Sequence, residues 1–257
     1  PAIKESAAWL KTQGFEVDYA PVDARGFVKV DALANLLRPD TTLVSVMAVN
    51  NEIGSIQPIH EIAALLEDRP TISFHVDAVQ ALAKVATEVY LPERVDFATF
   101  SSHKFHGLRG VGFVYIKEGK KITPLLTGGG QEKEMRSTTE NVAGIAATAK
   151  ALRLAMENQE VFASKTQQMK EVIRKELANY PDVTVFSGED HFAPHILTFG
   201  IKGVRGEVVV HAFEEFDIYI STTSACSSKA GKPAGTLIAM GVDKSIAQTA
   251  VRLSLDL

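Results

Sequence analysis

The stretch SSHKFHG, residues 101–107, sets Lys104 between two histidines directly behind the apolar run VDFATF. A lysine is ordinarily a solvated surface charge. One that ends a strand and enters a small polar turn is also placed to offer its amine to chemistry. Other polar residues collect behind similar runs. TTLVSVMAV leads into NNEIG with Asn51, TISFHV into Asp77 and Gln80, VDFATF into Ser101, Ser102, His103 and Lys104, and KITPLL into TGGGQEKEMRSTT. Each has a plain structural alternative. Asp77 could cap a helix, Asn51 could serve a turn, and GGG at 128–130 lacks the Gly-Lys-Ser/Thr ending of a nucleotide loop.

Together these residues supply the parts that one cofactor needs. Pyridoxal 5'-phosphate requires an amine for a Schiff base and an acid that keeps its pyridine nitrogen protonated. It also requires a donor for its phenolate oxygen, and hydroxyls or amides for a dianionic phosphate. Lys104, Asp77, Gln80 and the group Ser101, Ser102 and His103 answer those needs in turn. Gln80 lies three residues past Asp77, so both face one side if a helix begins there. The single cysteine, Cys226, stands in the polar stretch STTSACSSKAGKPAG. Structural cysteines usually sit among apolar neighbours, so it is either a tolerated exposed thiol or a working one.

The elements that must hold these residues alternate in type. FEVDYAPV reads as a strand, VDALANLL as a short helix, and TTLVSVMAV as a strand buried on both faces. PIHEIAALLED starts a helix at Pro58. TISFHVD, VDFATF and GVGFVYIK are further strands. The pattern predicts an α/β domain with a mostly parallel sheet, whose ligands gather at the carboxyl ends of its strands. Residues 141–177 read as one long helix. VTVF, HILTFGI and DIYIS follow as strands, with GEVVVHAFEEF a helix among them. This predicts a large α/β domain over 1–159 and a smaller α+β domain over 160–257 carrying the cysteine loop.

The chain has 257 residues, is 46% hydrophobic and carries a formal net charge of −4. No basic field favours nucleic acid, and no apolar run reaches the roughly 18 to 20 residues of a membrane span. The opening PAIKESAAWLKTQG mixes charge into a helical pattern and lacks the apolar core of a signal peptide. One cysteine cannot form an internal disulfide, which suits a reducing cytoplasm.

VNNEIG, HVDAVQ, SSHKFHG, GGGQEKEMRSTT, SACSS and VRLSL occur in the order and spacing of the NifS/IscS-like cysteine desulfurases. The chain resembles that family along its whole length, and with it the class V aminotransferase group and the aspartate aminotransferase type of fold. The resemblance implies that Lys104 carries the cofactor, Asp77 pairs with the pyridine nitrogen and Gln80 bonds the phenolate oxygen. Asn51 would lie beside ring and substrate, Ser101 and His103 would hold phosphate, and Thr139 would do so from a neighbouring subunit of a homodimer. Arg252 in VRLSL would grip the substrate carboxylate with its planar fork; taken alone it reads as a strand-end surface charge. Cys226 would take sulfur from L-cysteine as a persulfide for a sulfur-acceptor protein, and alanine would leave.

Ser102 stands where the family has Gly or Ala, and Thr138 where it has Gly. A preceding phosphate loop, a ring-stacking histidine and a terminal helix have no counterpart here, so the sequence reads as a piece of a longer protein with weak cofactor binding when alone. Another class V aminotransferase would not need Cys226, whereas a selenocysteine lyase could keep it. Outside enzymes, the alternative is a non-catalytic piece that docks sulfur acceptors.

Overall fold

A computed structural model of the chain describes residues 2–223 and 235–257. In chain order the first elements are α1 (Ala2–Thr12), α2 (Val30–Leu36), β1 (Leu43–Met47), α3 (Ile59–Leu65), β2 (Ser73–Asp77), α4 (Thr87–Tyr90), β3 (Phe97–Ser101) and β4 (Gly112–Ile116). They are followed by α5 (Val142–Glu157), α6 (Gln159–Leu177), β5 (Val183–Val185), β6 (Ile196–Ile201), α7 (Gly206–Glu214), β7 (Ser221–Thr222), α8 (Gly235–Ala239), α9 (Lys244–Ala247) and β8 (Ala250–Ser254).

β1, β2 and β3 pair in parallel and β4 closes the sheet antiparallel to β3. Two parallel strands need a crossover between them, and α3 supplies the one from β1 to β2. Its Ile59, Ile62 and Ala63, spaced for one helix face, pack with Val44, Phe74, Val76, Ala98 and Phe100. Alternation does the rest. Phe74, Val76, Ala98 and Phe100 are buried, while Ser73, His75, Asp77, Thr99 and Ser101 between them are half-buried on the opposite face. Asp96 anchors the entry to β3. Its carboxylate accepts from the Phe74 N–H at 2.8 Å and pairs with Arg94 at 2.8 Å and Lys120 at 3.1 Å. Burial raises the Asp96 pKa, but those three donors outweigh it and hold the group below its ordinary value.

The second sheet is antiparallel throughout, in the order β5-β6-β8-β7. Leu197, Phe199, Val251 and Leu253 form its core with Val209 and Phe213 of α7 and Ile173 and Leu177 of α6. Ile53, from the turn after β1, packs with Phe192, Leu237, Ala247 and Ala250, which joins the two sheets.

Several expectations need correction. FEVDYAPV forms no strand; only Val22 makes an isolated bridge, to Val28. TTLVSVMAV is not buried on both faces, because β1 lies at the edge of its sheet with Leu43 and Met47 exposed. The long helix is two helices. Asn158 turns out of helical geometry at ψ 6°, and its amide donates to the Leu154 carbonyl at 2.8 Å, a local bond of the kind by which Asn competes with the helix ladder. DIYIS contributes only Ser221 to a strand. No helix begins at Asp77; residues 79–85 are consecutive turns, with Ala83 at φ 61°. Among the described residues no helix is long and apolar enough to cross a membrane.

α6 is held to the second sheet partly by a buried amine. Lys170 is 1% exposed, and its Nζ donates to the Ala193 carbonyl at 2.9 Å. Burial, helped by Arg174, lowers it to about 8. An unfolded lysine titrates near 10.4, so between those values the unfolded chain binds more protons and stability rises with pH. The gain is complete above the unfolded value and is lost as pH falls through about 8. Urea midpoints followed across this window should therefore rise in the wild type relative to Lys170→Met, by an amount worth roughly 2–3 kcal/mol. Parallel curves for the two proteins would contradict this.

Candidate active site

In-register pairing puts Met47, Asp77 and Thr99 in one row across the first sheet, with Met47 opposite Asp77 and Asp77 opposite Thr99. Ser101 lies two residues beyond Thr99 on the same face. A 3-10 turn, Ser102–Phe105, then carries His103 and Lys104. Asp77, Gln80, Ser101 and Lys104 are all half-buried, and His103 is exposed. The Asp77 carboxylate accepts from the Val79 N–H at 3.1 Å, which closes an Asx turn rather than a helix cap. Beneath this row, His75 bonds Ser45 at 2.8 Å and Thr99 at 3.1 Å, tying β1, β2 and β3 together by side chains. Burial lowers the pKa of His75, against an opposing pull from Asp77.

The 3-10 turn is held rigidly. Ser102 is fully buried, and its Oγ lies 2.9 Å from Thr148 Oγ1 on α5. The Gly107 N–H closes the turn on the Ser102 carbonyl at 2.9 Å. Ser102 is thus a packing contact that sets the turn against α5.

The asparagine pair divides its work. Asn50 Oδ1 accepts from the N–H groups of Glu52 at 2.8 Å and Ile53 at 3.0 Å, and its Nδ2 donates to Thr236 Oγ1 at 3.2 Å. Asn51, half-buried, receives Arg252 Nη1 on its backbone carbonyl at 2.8 Å. Arg252 Nη2 donates to Ser221 Oγ at 3.1 Å. Arg252 is half-buried inside β8, so the surface-charge alternative falls. Cys226 lies outside the described residues. The residues that bracket its stretch are both tied to the turn after β1: Ser221 through Arg252, and Thr236 through Asn50 and through Glu52, whose Oε2 accepts from the Thr236 N–H at 2.9 Å. Sequence reasoning missed Glu52 and Asn50, although both stand in the quoted VNNEIG. Thr139 is exposed on the segment between β4 and α5 and is not among these strand-end residues.

The donor set suits pyridoxal phosphate. A carboxylate and an amide at and just past the end of β2, and a hydroxyl, an imidazole and an amine at and just past the end of β3, stand at the carboxyl ends of two adjacent parallel strands, where open α/β sheets bind ligands.

The family profile "Aminotransferase class-V" matches residues 2–257. A "NifS/IcsS protein homolog" of Lactobacillus delbrueckii subsp. bulgaricus is 53% identical over 248 residues, 96% of this chain and 64% of the relative. A "Cysteine desulfurase IscS" of Clostridium botulinum is 41% identical over 257 residues, again spanning 64% of the relative's length. Among solved structures, a "NifS-like protein" superposes with a TM-score of 0.89 at 38% identity, covering 99% of this chain and 66% of its own. One titled "SspA in complex with cysteine" superposes with a TM-score of 0.80 at 26% identity, covering 98% of this chain and 70% of its own.

A Cβ added to Gly107 would stand 1.8 Å from Ser102 Oγ. Gly107→Ala should therefore cost about 1–3 kcal/mol in urea unfolding. Adding Ser102→Ala should return part of that loss, because the two sites are in contact. Additive costs in the double variant would show that the clash is not the cause.

Proposed function

The chain belongs to the class V aminotransferase family, and from that footing we propose that it acts as a pyridoxal-phosphate-dependent cysteine desulfurase. In this role the protein converts L-cysteine to L-alanine and passes sulfur, as a persulfide on Cys226, to an acceptor protein for iron–sulfur or thiocofactor assembly. The observation that carries it is the placement of Asp77 and Gln80, and of Ser101 and Lys104, at or just past the carboxyl ends of the adjacent parallel strands β2 and β3. The names of the relatives support the substrate. The same proposal includes a cytoplasmic homodimer and the division of the chain near residue 159.

When bound, the cofactor supplies an aldehyde and an electron-withdrawing ring. Lys104 Nζ would hold the aldehyde carbon and, in turnover, move the proton at the substrate α-carbon. The Asp77 carboxylate would keep the ring nitrogen protonated, which a charged partner does and a neutral amide cannot. Gln80 Nε2 would donate to the phenolate oxygen. The Ser101 hydroxyl and the His103 ring N–H would hold phosphate, with the Thr139 hydroxyl of a second copy. Arg252 would grip the substrate carboxylate beside Asn51. The turn that Asn50 and Glu52 brace thus carries both the substrate contact and the tether of the cysteine stretch. Cys226, as thiolate, attacks the substrate sulfur; the new S–S bond forms as the C–S bond breaks, and its electron pair stays with the carbon skeleton. Protonation of that skeleton yields alanine.

With cofactor and L-cysteine supplied, alanine and sulfide should appear in equal amounts under reducing conditions. Cys226→Ala should keep the yellow absorbance and release no sulfide. Undiminished sulfide from that variant, or no alanine from the wild type at saturating cofactor, would contradict the reading. Asp77→Asn should also stay yellow, yet lose about 10²-fold or more in turnover. Near-normal turnover there would leave Asp77 with only its Asx turn.

A further inference from the structure

We propose that Thr148 of α5 is a positioning residue for Lys104: through Ser102 it fixes the turn that presents the lysine, and through Gly144 it ties that turn to the helix start that follows Thr139. The inference rests on the role given to Lys104 above and adds a residue that none of the quoted motifs contains.

Ser102 and Lys104 belong to one 3-10 turn, Ser102–Phe105, so whatever holds Ser102 holds the backbone of the lysine. Thr148 is 7% exposed and Ser102 0%, so their hydroxyls meet out of water. The direction of their bond follows from the hydrogens available. A hydroxyl has one hydrogen, and that of Thr148 goes to the Gly144 carbonyl at 2.8 Å. The Ser102 hydroxyl is therefore the donor of the 2.9 Å bond, and Thr148 Oγ1 its acceptor. A threonine inside a helix can turn its hydroxyl back on the helix in this way; here the same oxygen also receives the neighbouring turn.

A second contact joins the same two pieces. The Ser102 N–H donates to the Val111 carbonyl at 3.1 Å, and a Cβ on Gly144 would stand 2.7 Å from Val111 Cγ2, which leaves no gap between α5 and Val111. The Gly144 N–H donates to Asn141 Oδ1 at 3.0 Å, the N-cap of α5, two residues past Thr139. Ser102, Thr148, Gly144 and Asn141 thus form one run of contacts from the lysine's turn to the Thr139 segment. Loss of the Thr148 oxygen would leave a buried donor unsatisfied, which costs more than the bond itself contributes. The turn would recover by shifting Ser102 towards another acceptor or water, and Lys104 would move with it.

Thr148→Val keeps the shape and removes the acceptor, whereas Thr148→Ser keeps the hydroxyl. In the cofactor-free chain, hydrogen exchange of the Gly107 N–H, which closes the turn on Ser102, should quicken about tenfold in Thr148→Val and stay as in the wild type in Thr148→Ser. With pyridoxal phosphate added, Thr148→Val should bind about three- to tenfold more weakly by absorbance titration, again with recovery in Thr148→Ser. Should Thr148→Val fold poorly by circular dichroism, the double variant Ser102→Ala, Thr148→Val removes the same bond without an unpaired donor and should show the same loss of affinity. Wild-type affinity in a folded variant lacking the bond would make the contact structural only and overturn the proposal; so would weaker binding by Thr148→Val with unchanged Gly107 exchange. Borohydride labelling separates the two claims. No label on Lys104 in the wild type would defeat the cofactor reading and this inference with it, whereas label there with unchanged variants would defeat this inference alone.

Discussion

Parallel pairing of β1, β2 and β3 in one register is the constraint from which the site follows. Side chains alternate across a strand, so a slip of one residue in β2 would send Asp77 into the core and Val76 to the site face. Phe74 and Val76 forbid that slip, since both are fully buried against α3 and β3. The apolar face thus sets the position of the polar one. Asp96 and Arg94 fix where β3 enters, and the turn Ser102–Phe105, locked to α5 through Thr148, fixes where it ends.

A second constraint lies in the turn Asn50–Gly54, where the two sheets meet. Buried polar groups are costly unless bonded, and here they bond each other across the junction. Thr198 Oγ1 donates to the Glu52 carbonyl at 2.5 Å and Ser187 Oγ to the Ile53 carbonyl at 2.7 Å. Gly54 sits at φ 84° with its missing Cβ only 3.0 Å from Ile196, so the close approach needs glycine. Through Arg252, Asn50 and Glu52 the same turn holds both flanks of the Cys226 stretch. Arg252, assigned to substrate, and the described residues Ser221 and Thr236 that flank the Cys226 stretch are therefore tied to one turn.

Much of this was legible in the sequence. β-branched runs marked β1, β2, β3, β4, β5 and β6, and the polar clusters behind them marked Asp77, Ser101 and Lys104; β8 was not read as a strand. FEVDYAPV alternates like a strand, yet its only pairing is the bridge from Val22 to Val28. The run after Asp77 has helical spacing, but the left-handed Ala83 and the bond from Gln159 to Val85 hold it as turns. The break at Asn158 coincides with a change of partners, α5 packing on the first core and α6 on the second, and the local bond of the Asn158 side chain to the Leu154 carbonyl was a signal left unread. Glu52 was missed because it acquires its role from residues far away in the chain, Thr198 and Thr236. Gln80 and His103 were read from the needs of the cofactor, while the roles of Asn51, Thr139 and Arg252 came from family resemblance; of these Arg252 and Asn51 meet directly.

The central claim is that the strand ends build one cofactor site around Lys104. Its most direct test is to saturate the chain with pyridoxal phosphate, reduce with borohydride and map the labelled peptide. The account predicts a single label on Lys104, in the peptide containing SSHKFHG. Label on another lysine, Lys84 and Lys170 included, would contradict it.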